Sequence, residues 1–214
     1  MATLKTSLSI SLAAFAVGLC VAQEVPGFTP AKDPSQSKFQ APIPRPWIEP
    51  GFCRVLYVQS PNSGVRPADA VIDTIVVHAT VIPTLEQTTA AFTREASQVS
   101  AHYTIGRDGS IVQNVSGFRR AWHAGVSVFE DRNNVNHFSI GIELVNLDDG
   151  KDPYPKAQTD ALCMLIRTLE RRFPLKYITS HEYIARPVGR KNDPLGYPWK
   201  TLTDTGLAIV VTKN

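Results

Sequence analysis

The chain has 214 residues, 43% of them hydrophobic and 19% charged, with a formal net charge of +3. This is enough apolar material for one well-buried core. The mild positive balance contains no basic run, which excludes a nucleic-acid partner and suits at most a ligand or matrix bearing acidic groups.

The first 22 residues read as a targeting segment. "MATLK" carries a lysine, "SISLAAFAVGLCV" is a short apolar run, and "CVAQ" offers a cleavage site after Ala22. The run is too short to cross a bilayer, so a cleaved secretory signal peptide is expected, with no spanning segment after its removal. Cys20 also fits a lipid-attachment site, although Leu19 is a poor residue for the position before it. The expected location is therefore periplasmic or extracellular, with simple cleavage favoured over an anchor at Cys20. Cleavage leaves Cys53 and Cys163, which fit either one disulfide or two buried thiols. Residues 23–50 are rich in Pro, Ser, Gln and Lys and read as a linker or arm, with Trp47 and Ile48 placed to dock it where a domain of residues 51–214 begins.

From there the pattern becomes ordered. "CRVLYVQS" reads as a strand and "DTIVVHAT" as a buried, β-branched one. "TLEQTTAAFTRE" has helical spacing, with Thr84 as its N-cap. "SAHYTIGRDGSIVQNV" holds two short strands around the turn Arg107-Asp108-Gly109. "FSIGIELVN" is a further strand, residues 156–173 form an amphipathic helix stopped by Pro174, and "KYITS" is a strand. Strands interleaved with helices and one hairpin predict a mixed α/β (α+β) fold, a central mixed β-sheet flanked by helices.

Two strands end alike. "TIVVH" closes on His78 and "YITSH" on His181, and strand ends are where open α/β sheets bind ligands. A lone histidine there is more often a hydrogen-bonded structural residue; two in equivalent places point to a site. Asp193, fixed by the following Pro194, completes a His-His-carboxylate set of the kind that holds catalytic zinc. Glu143 is a carboxylate in an otherwise apolar strand, where burial is expensive without a purpose. Ser139 and Gly141 share its face and leave space expected to take a substrate. Beside a metal-activated water Glu143 serves as general base and then acid; the alternative is a pair with Arg119 or Arg120. Lys191, two residues before Asp193, reads either as oxyanion stabiliser or as a solvated loop lysine.

"IVVHAT", "SAHYTIGRDGSIVQNV", "RAWHAGVS", "NHFSIGIELVN" and "SHEYIA" followed by "GRKNDP" occur in one order between Asp73 and Pro198. In this the chain resembles the zinc-dependent N-acetylmuramoyl-L-alanine amidases of the AmpD-like type, relatives of the peptidoglycan recognition proteins. The resemblance implies an amidase/peptidoglycan-recognition-like fold, Zn2+ held by His78, His181 and Asp193, and Glu143 and Lys191 as the catalytic pair. It implies that Trp122 and His123 line the substrate groove, with His102 near or supporting the site. His137 is expected at the surface. It implies a peptidoglycan or muropeptide substrate, cleaved between N-acetylmuramic acid and L-alanine by zinc-activated water. A monomer is expected, although the sequence does not fix the oligomeric state. A non-catalytic peptidoglycan-binding module is the alternative, and a zinc peptidase acting within the stem peptide a third reading. The segment "IARPVGRKNDP" is two residues longer than the family pattern, so the loop before Lys191 and Asp193 is expected to bulge. Leu195 stands before Gly196, where the family often has glycine at once. Arginines associated with selective binding of anhydro-muropeptides are not evident, which suits action on wall material more broadly.

Overall fold

The computed structural model describes residues 55–212. The segments read as signal peptide and linker, with Cys20, Trp47, Ile48 and Cys53, lie outside the described residues; Cys163 is partly buried and has no disulfide partner among the described residues.

The strands are β1 (Val55–Tyr57), β2 (Ser63–Gly64), β3 (Thr74–Ala79), β4 (Tyr103–Ile105), β5 (Ile111–Gln113), β6 (Arg120–Ala121), β7 (Val128–Phe129), β8 (Arg132–Asn133), β9 (Ser139–Leu144), β10 (Tyr177–Ser180) and β11 (Ala208–Val210). Seven of them make one sheet in the order β1-β5-β4-β9-β3-β10-β11. Every pairing in it is parallel except β4 with β5, which form the hairpin expected around Gly109. Gly109 adopts φ +83°, a turn conformation open to glycine. The mixed α/β sheet is thus as anticipated.

The two central strands are buried on both faces, which explains why they read as nearly continuous apolar runs. Their alternation nevertheless sorts the side chains. Ile75 and Val77 of β3 join Ile140, Ile142 and Leu144 of β9 in the larger core. That core is closed by helix α2 (Lys156–Glu170), whose Ala161, Leu162, Leu165, Ile166 and Leu169 form a helical stripe. Buried Gln158 pins α2 to the sheet, its amide donating to the carbonyls of Ile105 and Val145, both at 3.0 Å. A 3-10 helix, Trp199–Thr205, covers the same core through Leu202.

The opposite face carries a smaller core of Val76, Ala124, Phe129, Val135, Phe138 and Ile184. Helix α1 (Leu85–Thr93) starts where expected, with Thr84 Oγ1 accepting from the Gln87 amide at 3.1 Å. The segment after β10 differs from expectation. His181 does not end a strand; it opens the four-residue helix α3 (His181–Ile184), capped by Ser180 Oγ accepting from the Tyr183 amide at 3.0 Å. Among the described residues, no helix is long and apolar enough to cross a membrane.

Candidate active site

Glu143 and His78 are direct partners across the parallel β9–β3 pair, and so share one face at the C-terminal end of the sheet. His181 arrives on the next strand over, at the junction of β10 and α3. Asp193 comes from the long loop. Arg186 hydrogen-bonds the Val126 carbonyl, and Arg190 the carbonyls of Ala124 and Val126. The loop therefore leans over residues 124–126, with Val188 and Gly189 exposed. The chain then returns, and the Glu182 amide donates to the Asp193 carbonyl at 2.9 Å.

This return brings His78, His181 and Asp193 together, all three buried, with one ligating atom from each lying within 4.8 Å of the others. Asp193 Oδ2 is 3.1 Å from His181 Nδ1 and 3.5 Å from His78 Nδ1. Zinc bonds of about 2.0–2.1 Å in tetrahedral geometry set ligand atoms about 3.3 Å apart, so these spacings match two edges of such a shell. Among the described residues, buried His181 Nε2 and Glu143 Oε2 find no hydrogen-bond partner. Two imidazoles and a carboxylate are also the donor set that suits zinc, and the residues present fit the ion.

The electrostatics agree. Burial, with the adjacent His181 adding to it, holds the His78 imidazole down at about 4, so it stays neutral and able to ligate. For Asp193 burial acts upward, but the hydrogen-bonded His181 imidazole and the adjacent His78 outweigh it and hold the carboxyl well below the usual carboxylate range. Burial, reinforced by the Asp193 charge, pushes Glu143 up to about 8, and Lys191 opposes that rise. Exposed Lys191 thus lies within electrostatic reach of Glu143.

Of the remaining candidates, His123 and His102 are buried and Trp122 is half-buried. His123 is buried, with Nδ1 3.0 Å from His78 Nε2 and Nε2 3.1 Å from Ser139 Oγ. His102 is fully buried; its Nδ1 accepts from the Gly141 amide at 2.9 Å and its Nε2 is 3.0 Å from the Arg119 carbonyl. Trp122 is half-buried, with its backbone tied to Ser100. His137 is partly buried, Nε2 lying 3.0 Å from Arg120 Nη1 and 2.9 Å from Asn134 Nδ2. The space above Ser139 and Gly141, expected to take substrate, is filled instead: a Cβ on Gly141 would collide with the His123 ring. A glycine inside a strand signals close approach by another group, and sequence alone could not say that the group is a histidine 18 positions earlier. Asn136 was missed altogether; its Oδ1 accepts from the amides of His123 and Ala124 at 3.0 and 2.9 Å and fixes that segment.

Residues 68–196 match the N-acetylmuramoyl-L-alanine amidase family (Amidase_2). The chain belongs to that family. It is 37% identical over 157 residues to the 1,6-anhydro-N-acetylmuramyl-L-alanine amidase AmpD of Enterobacter cloacae, covering 64% of this chain and 82% of that relative. The selenomethionine AmpD crystal structure superposes with a TM-score of 0.59 at 32% identity, covering 74% of this chain and 96% of that one. AmiD of E. coli, solved with anhydro-N-acetylmuramic acid-L-Ala-D-gamma-Glu-L-Lys, superposes at 0.58 with 30% identity, covering 67% of this chain and 61% of AmiD. The amidase is therefore an enzyme, and the reading of a non-catalytic binding module falls away. The expectation of export falls too. AmpD is a cytoplasmic enzyme of cell-wall recycling, which conflicts with a periplasmic, extracellular or Cys20-anchored protein.

Proposed function

We propose that the amidase hydrolyses the amide between N-acetylmuramic acid and L-alanine of the stem peptide, with zinc held by His78, His181 and Asp193. The observation that carries this reading is the convergence of three buried ligating groups beside Glu143, its neighbour in register on β9. The relatives' substrates, 1,6-anhydro-muropeptides for AmpD and the complexed peptide for AmiD, support a muropeptide for this chain as well. When bound, zinc supplies Lewis-acid polarisation of a carbonyl and acidifies a coordinated water to a pKa of about 7.

The protein's own groups do the rest. Glu143, lifted by burial and left with an unpartnered carboxylate oxygen, takes the proton of the attacking water. It delivers that proton to the alanine nitrogen as the C–N bond breaks, which leaves a carboxylate on the lactyl group and a free amine on the peptide. Beside a bound cation the Glu143 carboxyl would be held below its metal-free value, which would favour its base form. Exposed Lys191 offers an ammonium donor to the oxyanion in this reading. Residues 51–214 constitute the catalytic unit in this reading.

The test is release of free stem peptide, with a new N-terminal alanine, from purified peptidoglycan and from anhydro-muropeptide. Release that stops on chelation and returns with zinc is expected. Retained binding with no release by zinc-loaded protein, or products cut within the peptide, would refute it.

A further inference from the structure

The ring of His123 lies between a proposed zinc ligand and the floor of the sheet, and its hydrogen bonds run one way. Ser139 Oγ is 2.6 Å from the Val135 carbonyl, which only accepts, so the hydroxyl proton points there. The Ser139 oxygen, 3.1 Å from His123 Nε2, then accepts from it. A neutral His123 with its proton on Nε2 has its lone pair on Nδ1. That lone pair, 3.0 Å from His78 Nε2, accepts the His78 proton. His78 is left with a bare Nδ1, and this is the nitrogen 3.5 Å from Asp193 Oδ2. The opposite tautomer would aim an N–H at the position a metal must occupy.

We propose that His123 is a positioning residue that sets the tautomer of His78 for metal binding, with Ser139 as its anchor and Gly141 as the gap that admits its ring. The proposal rests on the zinc reading above. Asn136 supports it by fixing the His123 backbone, and the collision a Cβ would make at Gly141 shows how closely the ring is seated. Metal-bound histidines generally donate their second nitrogen to a carboxylate, carbonyl or water. An imidazole acceptor fixes orientation equally well but brings no charge. The shell then has Asp193 as its one anionic ligand, which preserves the acidity of the ion.

The test has two arms. In metal-free wild type, nitrogen NMR of the histidine rings should find His78 protonated on Nε2 and bare on Nδ1. Zinc affinity, measured by competition with a chromogenic chelator, should fall about 10–100-fold in His123→Ala, the range for lost outer-shell partners. His123→Asn places an amide oxygen near the Nδ1 position and should recover most of that loss, whereas His123→Leu, which restores bulk alone, should not. Ser139→Ala frees His123 to exchange tautomers and should give a smaller loss. A proton on Nδ1 of His78 in metal-free wild type, wild-type affinity in His123→Ala, or rescue by leucine rather than asparagine would each overturn the proposal. If the His123 variants fail to fold, the wild-type spectrum and Ser139→Ala decide. If wild type takes up no zinc while His78 still carries its proton on Nε2, the zinc reading fails and the relay stands.

Discussion

The two faces of the central sheet are built from the same strands yet do different work. On one side of β3 and β9, Ile75, Val77, Ile140, Ile142 and Leu144 pack under α2 as a dry core. On the other, Ser139, Gly141 and Glu143 of β9 line up with Thr74, Val76 and His78 of β3. The strands pass from an anchor (Ser139) through a gap (Gly141) to the reacting groups (His78 and Glu143) within two turns of the pleat. The comparison shows how a polar site survives in a buried sheet. One face supplies the packing that makes the strands rigid, which lets the other hold polar groups that would not fold a domain by themselves.

The largest effect should come from the polar face. Asp193→Ala should lose bound zinc and with it stem-peptide release down to background, while Asn192→Ala should keep both near wild type; zinc content by elemental analysis checks the register of the loop. Glu143→Ala should retain zinc but release peptide about 10²-fold more slowly or worse, as for loss of a general base. Persisting activity would remove Glu143 from its role.

The opposite face should respond in stability rather than chemistry. Ile142→Ala should destabilise the fold by about 2–5 kcal/mol in denaturant melts, with zinc affinity of the folded fraction unchanged. Gly141→Ala, one position away but facing the site, should cost about 1–3 kcal/mol through overpacking and weaken zinc binding as well. Equal effects of the two on zinc would abolish the distinction between faces.

The polar face should also carry a pH dependence. Burial, with Asp193 adding to it, lifts Glu143 to about 8 in the metal-free fold, whereas the unfolded chain releases that proton at about 4.3. The folded state therefore binds more protons across this window, and its stability falls as pH rises through it. Thermal melts of chelated protein should show wild type losing ground to Glu143→Gln between about pH 5 and pH 8. A constant difference would mean that the folded carboxyl is already ionised.

Much of this was legible in the sequence because period-two and helical patterns are local. The runs "DTIVVHAT" and "FSIGIELVN", the cap at Thr84 and the turn at Gly109 gave β3, β9, α1 and the hairpin close to their observed bounds. His78 and Glu143 stood out as polar residues in buried strands. His123 did not reveal its place, since its partners, His78 and Ser139, lie 45 and 16 positions away. β11 and the turn of 3-10 helix before it were missed because they gain their order from β10 and α2, not from their own composition.

The sequence by itself determined the alternation of the strands, the stripe of α2 and the identity of the groups able to ligate a metal, since each is a property of residue type and short spacing. Only the tertiary structure decided which of those groups meet. Parallel pairing put His78 beside Glu143, the returning loop carried Asp193 to the two histidines, and a glycine left the opening that His123 fills. Those are distances between remote segments, fixed by strand order and loop path, and no local pattern encodes them.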